Sequence, residues 1–395
     1  MNKKVSVIIP NYNYARFLQR RIDCIVNQTI KPAEIIFLDD CSTDNSLEVA
    51  QEILSKTDVP YRIIPNEVNQ GVFKQWLKGI ELTQYDYFWI AEADDYCELN
   101  FLEILLPAFD DEDVVMSYCQ SKIVDQDGCF IANEFDYKAK YFDPSRWHNC
   151  FVNNGLNEVK DYLSLQNTIP NASALLINKR LLDLQKILKS TEYKMCGDWM
   201  FYIQALLSKN NKISYNSTIL NNFVRHENSV FGQAETLLVL NYELSSVFLF
   251  VAKESVISDV HKGVIFKESL NNFFWFPSNE LILDNIMELS IQLGIKLDLL
   301  KVKNDVYNDI RNYSTSMERQ LENNKQILME KLNLIYTLEL DVDNNKFKIE
   351  ECKHELEECK HELSLTKSSV SYKVTKPLRI FKMLILKLKY FLTKI

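Results

Sequence analysis

Short apolar runs alternating with amphipathic segments limit this chain's fold more than any other feature of its N-terminal part. Val5–Ile9 is a β-branched run stopped by Pro10-Asn11-Tyr12-Asn13, the pattern of a buried strand. Residues 15–28 then set Phe17, Leu18, Ile22, Ile25 and Val26 on one helical face. Ile35–Leu38 is a second strand ending on Asp39-Asp40, and Ser42, Thr43 and Asp44 supply capping chemistry for a helix over Leu47–Leu54. Tyr61–Pro65, Gly71–Leu82 and Tyr87–Ala91 continue as strand, helix and strand. This order predicts the α/β class, with a doubly wound and mostly parallel sheet. Ligands of such sheets bind beyond the carboxyl ends of the strands. The polar clusters Asn11-Tyr12-Asn13, Asp39-Asp40 and Glu92-Ala93-Asp94-Asp95 fall at those ends.

Composition narrows the partners. A net charge of −9 disfavours a nucleic-acid ligand, which wants a basic face. Nine cysteines without zinc-type spacing, and odd in number, fit reduced thiols in the cytoplasm better than a disulfide framework. The apolar run before Pro10 is too short for an export signal, and no run reaches the roughly 18 residues a membrane span needs.

Beyond the sheet, residues 234–312 read as helical and carry Phe248, Phe250, Phe273, Phe274, Trp275 and Phe276. Leu321, Leu328, Ile335, Val342, Ile349, Leu356 and Leu363 then recur at heptad spacing, beside a mixed seam of Met317, Asn324, Lys331, Leu338, Asn345, Cys352 and Cys359. An unbroken apolar seam of this length predicts a coiled coil and a homo-oligomer, against the alternative of a lone surface helix. From Tyr372 onward, seven basic residues from Lys373 to Lys394 interleave with apolar ones, and no acid occurs. Such a helix suits an anionic membrane surface, or packs on the protein with its lysines solvated.

Four elements give a more specific reading. Val5–Asn13 resembles the opening of family 2 glycosyltransferases, and Leu38–Ser46 resembles that family's Asp-Asp-Gly-Ser-Thr-Asp segment, with Cys41 in place of Gly. Asn69-Gln70-Gly71 and Ala91–Tyr96 resemble its next element and its metal-binding Asp-x-Asp region. The resemblance covers residues 4–232 and implies a GT-A catalytic domain over 1–232. A helical subdomain (233–312), a coiled coil (313–370) and a basic amphipathic tail (371–395) follow.

The resemblance also implies roles. Pro10 and Tyr12 line the base pocket, Asp40 bonds the base, and Asn69 and Gly71 belong to the donor site. Asp94 and Asp95 take the metal, Mn²⁺ or Mg²⁺, while Glu92 stands where an Asp is commoner and reaches ribose, metal-bound water or acceptor. Gly197-Asp198-Trp199 is similar to the family's site for the catalytic base, here Asp198. Arg225-His226-Glu227-Asn228-Ser229-Val230 resembles the segment closing over the diphosphate, with Arg225 on phosphate and His226 on metal. Ile169–Ser173 could border the acceptor. Plainer readings stand beside these: core packing for Tyr12, helix caps for Asp40 and Asp198, a solvated acidic loop for Glu92–Asp95, a surface His226. One departure is clear: Phe73, Lys74, Gln75, Trp76 and Leu77 stand where the family often carries Arg-Asn.

The implied reaction is one inverting displacement. A sugar leaves a nucleotide diphosphate, UDP by preference, for a glycan or lipid-linked acceptor, with no covalent enzyme intermediate. The implied setting is cell-surface polysaccharide synthesis by a cytoplasmic protein, peripheral on the inner face of the cytoplasmic membrane. A nucleotidyltransferase, or a non-catalytic membrane scaffold, is the alternative.

Overall fold

The computed structural model of the chain describes residues 3–133, 142–169, 171–208, 210–226, 234–275 and 280–294, with isolated positions 326, 330, 354, 355, 357, 358 and 361. It divides into two units, Met1–Lys267 and Glu268–Ile395.

In the first unit the alternation appears as β1 (Val5–Asn11), α1 (Ala15–Val26), β2 (Glu34–Asp39), α2 (Ser46–Leu54), β3 (Tyr61–Pro65), α3 (Val72–Leu82) and β4 (Tyr87–Ile90). Every residue of β1, β2 and β4 is buried, so these strands are near-continuous apolar runs covered on both faces. Helix α1 buries Phe17, Leu18, Ile22 and Ile25, the face its spacing predicts.

The next strands are β5 (Tyr96–Cys97), β6 (Val114–Asp125), β7 (Phe130–Asn133), β8 (Phe151–Asn154), β9 (Leu175–Asn178) and β10 (Lys212–Arg225). Helices α4 (Phe101–Leu105) and α5 (Gly197–Leu206) lie among them, and α6 (Ala234–Lys253) and α7 (Asp259–Trp275) follow. Among the described residues one sheet runs β3-β2-β1-β4-β9-β6-β10-β5, with β7 on β6 and β8 on β10. Its first four strands are parallel, as expected. Beyond β4 it is mixed: β9 is antiparallel to both β4 and β6, whereas β6 and β10 are parallel. The expectation of a mostly parallel sheet therefore holds for the first four strands and not beyond them. The βαβ rhythm that enforces parallel pairing stops after β4, so later strands are free to reverse.

This topology positions the site. Strands β2 and β4 flank β1 on opposite sides, so the chain reverses direction in the sheet at β1, and a crevice opens beyond the carboxyl ends of β1 and β4. Strand β10 runs antiparallel to β5, pairing Asn222 with Tyr96, and so returns Arg225 and His226 to the segment that follows β4.

In the second unit, α8 (Glu280–Gln292) buries Ile286 and Leu289. The expected coiled coil over 313–370 and basic helix over 371–395 lie outside the described residues, apart from the isolated positions. No helix among the described residues is long and apolar enough to cross a membrane.

Candidate active site

At the end of β1, Asn11 is buried and its Nδ2 donates to Asp39 Oδ1 at 2.8 Å and to Ser42 Oγ at 3.1 Å. Pro10 is buried within the strand, and Tyr12 beyond it is 44% exposed, open to a ligand rather than packed in the core. Asn13 adopts a left-handed φ of 59°, and its Oδ1 accepts from Thr43 N at 2.7 Å, tying this loop to the one after β2.

Asp40 accepts from Asn66 Nδ2, Gln70 N, Gly71 N and Gln75 Nε2, each within 2.9 Å. Three of these donors share Oδ1, and Gly71 N bonds Oδ2. Asp40 thus organises the loop that carries Asn69, which is exposed, and Gly71, whose φ is 91°. Gln75 comes from the segment that departs from the family pattern, and here that segment supplies a structural partner.

The acids after β4 form the electrostatic centre. Glu92 Oε1 accepts from Trp76 Nε1 at 2.7 Å, and Glu92 N donates to Ser173 Oγ at 3.1 Å. Asp95 is buried, and its Oδ1 accepts from Val224 N at 3.0 Å. Asp94 lies between them in sequence and is partly open, its Oδ2 3.1 Å from Nε2 of His226, whose side chain is buried. Burial, and next the charge of Asp94, push both Glu92 and Asp95 up to about 8, while the Trp76 hydrogen bond and the Arg21 charge oppose the shift on Glu92. Arg21 is fully buried on α1, with its guanidinium 4.8 Å from the centre of the Trp89 ring. The Tyr14 and Phe17 rings pack on the His226 imidazole, with centroids 5.4 and 4.9 Å away.

Among the described residues no three His, Cys, Asp or Glu side chains form a closed metal cage. Asp94 and His226 are a two-residue donor set, and Asp95 is engaged by the backbone of β10 instead. A pair of this kind fits a hard divalent cation, which commonly takes only one or two protein ligands and completes its shell with substrate phosphates and water.

Asp198 lies in the first turn of α5. Its Oδ2 accepts from Asn167 Nδ2 at 2.9 Å, and its Oδ1 from Trp199 N at 2.6 Å. Gly197 is required there because a Cβ would sit 2.4 Å from the Phe73 ring of α3. Trp76, also of α3, packs edge-on against Phe201 with centroids 6.0 Å apart. One helix therefore touches both Glu92 and the start of α5. Arg225, the last residue of β10, is exposed. Pro170 and 227–230 lie outside the described residues, while Asn171 Oδ1 accepts from Asn221 Nδ2 at 3.1 Å.

Asn167, Ser173, Arg21 and Trp76 were not singled out as site residues in the sequence. Asn167 belongs to no motif, Ser173 was visible only as part of Ile169–Ser173, and Arg21 looks like any helical arginine. Trp76 was visible only as a departure from pattern.

Residues 6–159 match the family model for glycosyl transferase family 2. The chain is 24% identical, over an aligned length of 404 residues, to a hyaluronan synthase of Pasteurella multocida, covering 79% of this chain and 40% of that protein. It is 31% identical over 134 residues to a chondroitin synthase of the Pm70 strain of P. multocida, covering 34% of this chain and 14% of that one. The chain thus spans less than half the length of either relative. Among solved structures, S. aureus TarS aligns with a TM-score of 0.47 at 20% identity, over 69% of this chain and 44% of that one. The family match spans β1 to β8 and includes the acids after β4, and with the sheet order it makes residues 6–159 a glycosyl transferase family 2 domain with a GT-A-like fold.

Proposed function

We propose that the chain moves a sugar from a nucleotide diphosphate donor, UDP-linked in our reading, to a hydroxyl of a glycan or lipid-linked acceptor, inverting the anomeric centre. The observation that carries this reading is the Asp94–His226 pair, 3.1 Å apart beyond the carboxyl end of β4. Asp94 and His226 are the residues that would hold Mn²⁺ or Mg²⁺, and a bound cation supplies neutralisation of the departing diphosphate. Tyr12 stacks on the base, Pro10, Asn69 and Gly71 line the donor loop, and Arg225 pairs with phosphate. Asp40 bonds the base while its carboxylate holds that loop through Asn66, Gln70, Gly71 and Gln75. Asp198 accepts the proton of the attacking hydroxyl, and Asn167 orients it. Glu92 and Asp95 retain protons more readily than ordinary carboxyls and frame the sugar side of the site.

Likeness to synthases of hyaluronan and chondroitin supports a growing glycan as acceptor, in cell-surface polysaccharide synthesis. The heptad seam supports a homo-oligomer. The basic segment from Tyr372 supports a peripheral position on the inner face of the cytoplasmic membrane. Deleting 372–395 is expected to release the protein from anionic liposomes, and unchanged sedimentation with them would remove that part of the reading.

The test of the activity is a panel of UDP-, GDP- and dTDP-sugars incubated with the full chain, with and without Mn²⁺. We expect release of UDP from a UDP-sugar, lost in EDTA. Pyrophosphate release from a nucleoside triphosphate would indicate nucleotidyl transfer instead. Failure to bind or turn over any donor would favour the scaffold.

A further inference from the structure

Helix α6 begins after β10 and well beyond the family match, yet it reaches the start of α5. Glu243 of α6 is buried, and its carboxylate accepts three consecutive backbone N–H groups: Lys194 at 2.7 Å on Oε1, then Met195 and Cys196, each at 2.8 Å, on Oε2. Consecutive amides converging on one anion form a nest, and a buried carboxylate in a nest fixes the turn more firmly than a neutral acceptor does. This turn leads directly into Gly197 and Asp198. A second contact from the same helix is independent of the first. Phe248 packs edge-on against Trp199, with ring centroids 5.8 Å apart. The Trp199 indole is further held by donation from Nε1 to Leu163 O at 2.8 Å.

We infer that Glu243 is a positioning residue for Asp198, and that α6 completes the catalytic unit. The inference rests on the reading of Asp198 as the base that takes the acceptor proton. Glu243 touches neither donor nor acceptor in this account. It fixes the backbone from which Asp198 projects, while Asn167 fixes the carboxylate itself. The donor pocket is built on the ends of β1, β2 and β4, so loosening the Lys194–Cys196 turn disturbs the proton acceptor and leaves nucleotide binding intact. A fold-stabilising role alone does not separate these two effects.

The experiment uses full-length Glu243→Gln and Glu243→Asp, with Asp198→Asn as a control. UDP affinity is measured by calorimetry in Mn²⁺, and transfer kcat with the donor that the wild type turns over. A shift of about 1 Å in a reacting group can lower rate about 100-fold, which is the loss of kcat expected for Glu243→Gln, with UDP Kd within about twofold of wild type. Glu243→Asp restores the charge on a shorter arm and is expected to fall between Glu243→Gln and wild type. A kcat within about threefold of wild type for Glu243→Gln overturns the inference. So does a parallel loss of kcat and UDP binding that Glu243→Asp does not relieve. If Glu243→Gln does not fold, Glu243→Asp decides: lowered kcat with retained UDP binding sustains the inference, and unchanged kcat overturns it. Wild-type kcat in Asp198→Asn removes the base assignment and the inference with it. An inactive Asp198→Asn beside a fully active Glu243→Gln removes the inference alone.

Discussion

Asn167 and Asp198 are joined by a 2.9 Å hydrogen bond from the amide Nδ2 to the carboxylate Oδ2. With Trp199 N holding the other oxygen, the carboxylate is fixed at both ends. Asn167→Ala frees one end. A hydrogen bond to a charged group contributes about 1.5–3 kcal/mol, so transfer kcat is expected to fall about tenfold or more, with UDP affinity unchanged. Steady-state kinetics beside calorimetry checks this, and an equal loss in both would mean that Asn167 serves the fold instead.

Trp76 is the donor to Glu92 and also part of the aromatic contact with α5. Trp76→Phe keeps a ring and removes the N–H. Leaving a buried carboxyl without its partner costs about 1–3 kcal/mol, which thermal unfolding of the metal-free protein would read as a lowered Tm. The double variant with Glu92→Leu is expected to recover part of the loss, because the orphaned acceptor is gone. No recovery would mean that the indole acts through packing alone.

Glu92 and Asp95 give the metal-free protein a specific pH dependence. Both carboxyls are raised to about 8 in the folded state, from ordinary values of 4.5 and 3.8. Between those limits the folded chain holds protons that the unfolded chain has released, so stability falls as pH rises through that window. In EDTA, Tm is therefore expected to drop from pH 6 to pH 9, and Mn²⁺ is expected to offset the drop at the upper end. The protons belong to the acidic cluster as a whole, so the curve reports the cluster and not either residue alone. A flat or rising Tm in EDTA would contradict the electrostatic picture.

Gly71 holds φ 91° and ψ 155°, a region open essentially to glycine, and its N–H donates to Asp40 at 2.8 Å. A Cβ there would meet nothing within 4 Å, so the cost of Gly71→Ala is backbone strain, about 1–3 kcal/mol. Chemical denaturation is expected to show that loss. UDP affinity should weaken as well, since the strained loop is the one Asp40 organises.

The sequence made the parallel half of the sheet legible because each of its strands is a run of buried apolar residues ending on a polar cluster. Asp94 and His226 were legible singly but not as neighbours. Asp94 and His226 are 132 positions apart, and only the return of β10 beside β5 brings them together. The strands from β6 to β10 were not read, because mixed pairing leaves no regular spacing. Asn167 and Glu243 were invisible for a different reason: each acts through a single hydrogen-bonding group on a partner remote in sequence, and no local pattern records that. Gln75 and Trp76 stood out only as a departure from the family pattern, and they supply the partners of Asp40 and Glu92.

The most direct test is a crystal of the full chain grown with UDP and Mn²⁺, with anomalous scattering recorded at the manganese edge. The account predicts one strong peak within bonding distance of Asp94 Oδ2 and His226 Nε2, bridged to the diphosphate oxygens. Bound UDP with no anomalous peak there, or a peak held by other residues, would contradict it.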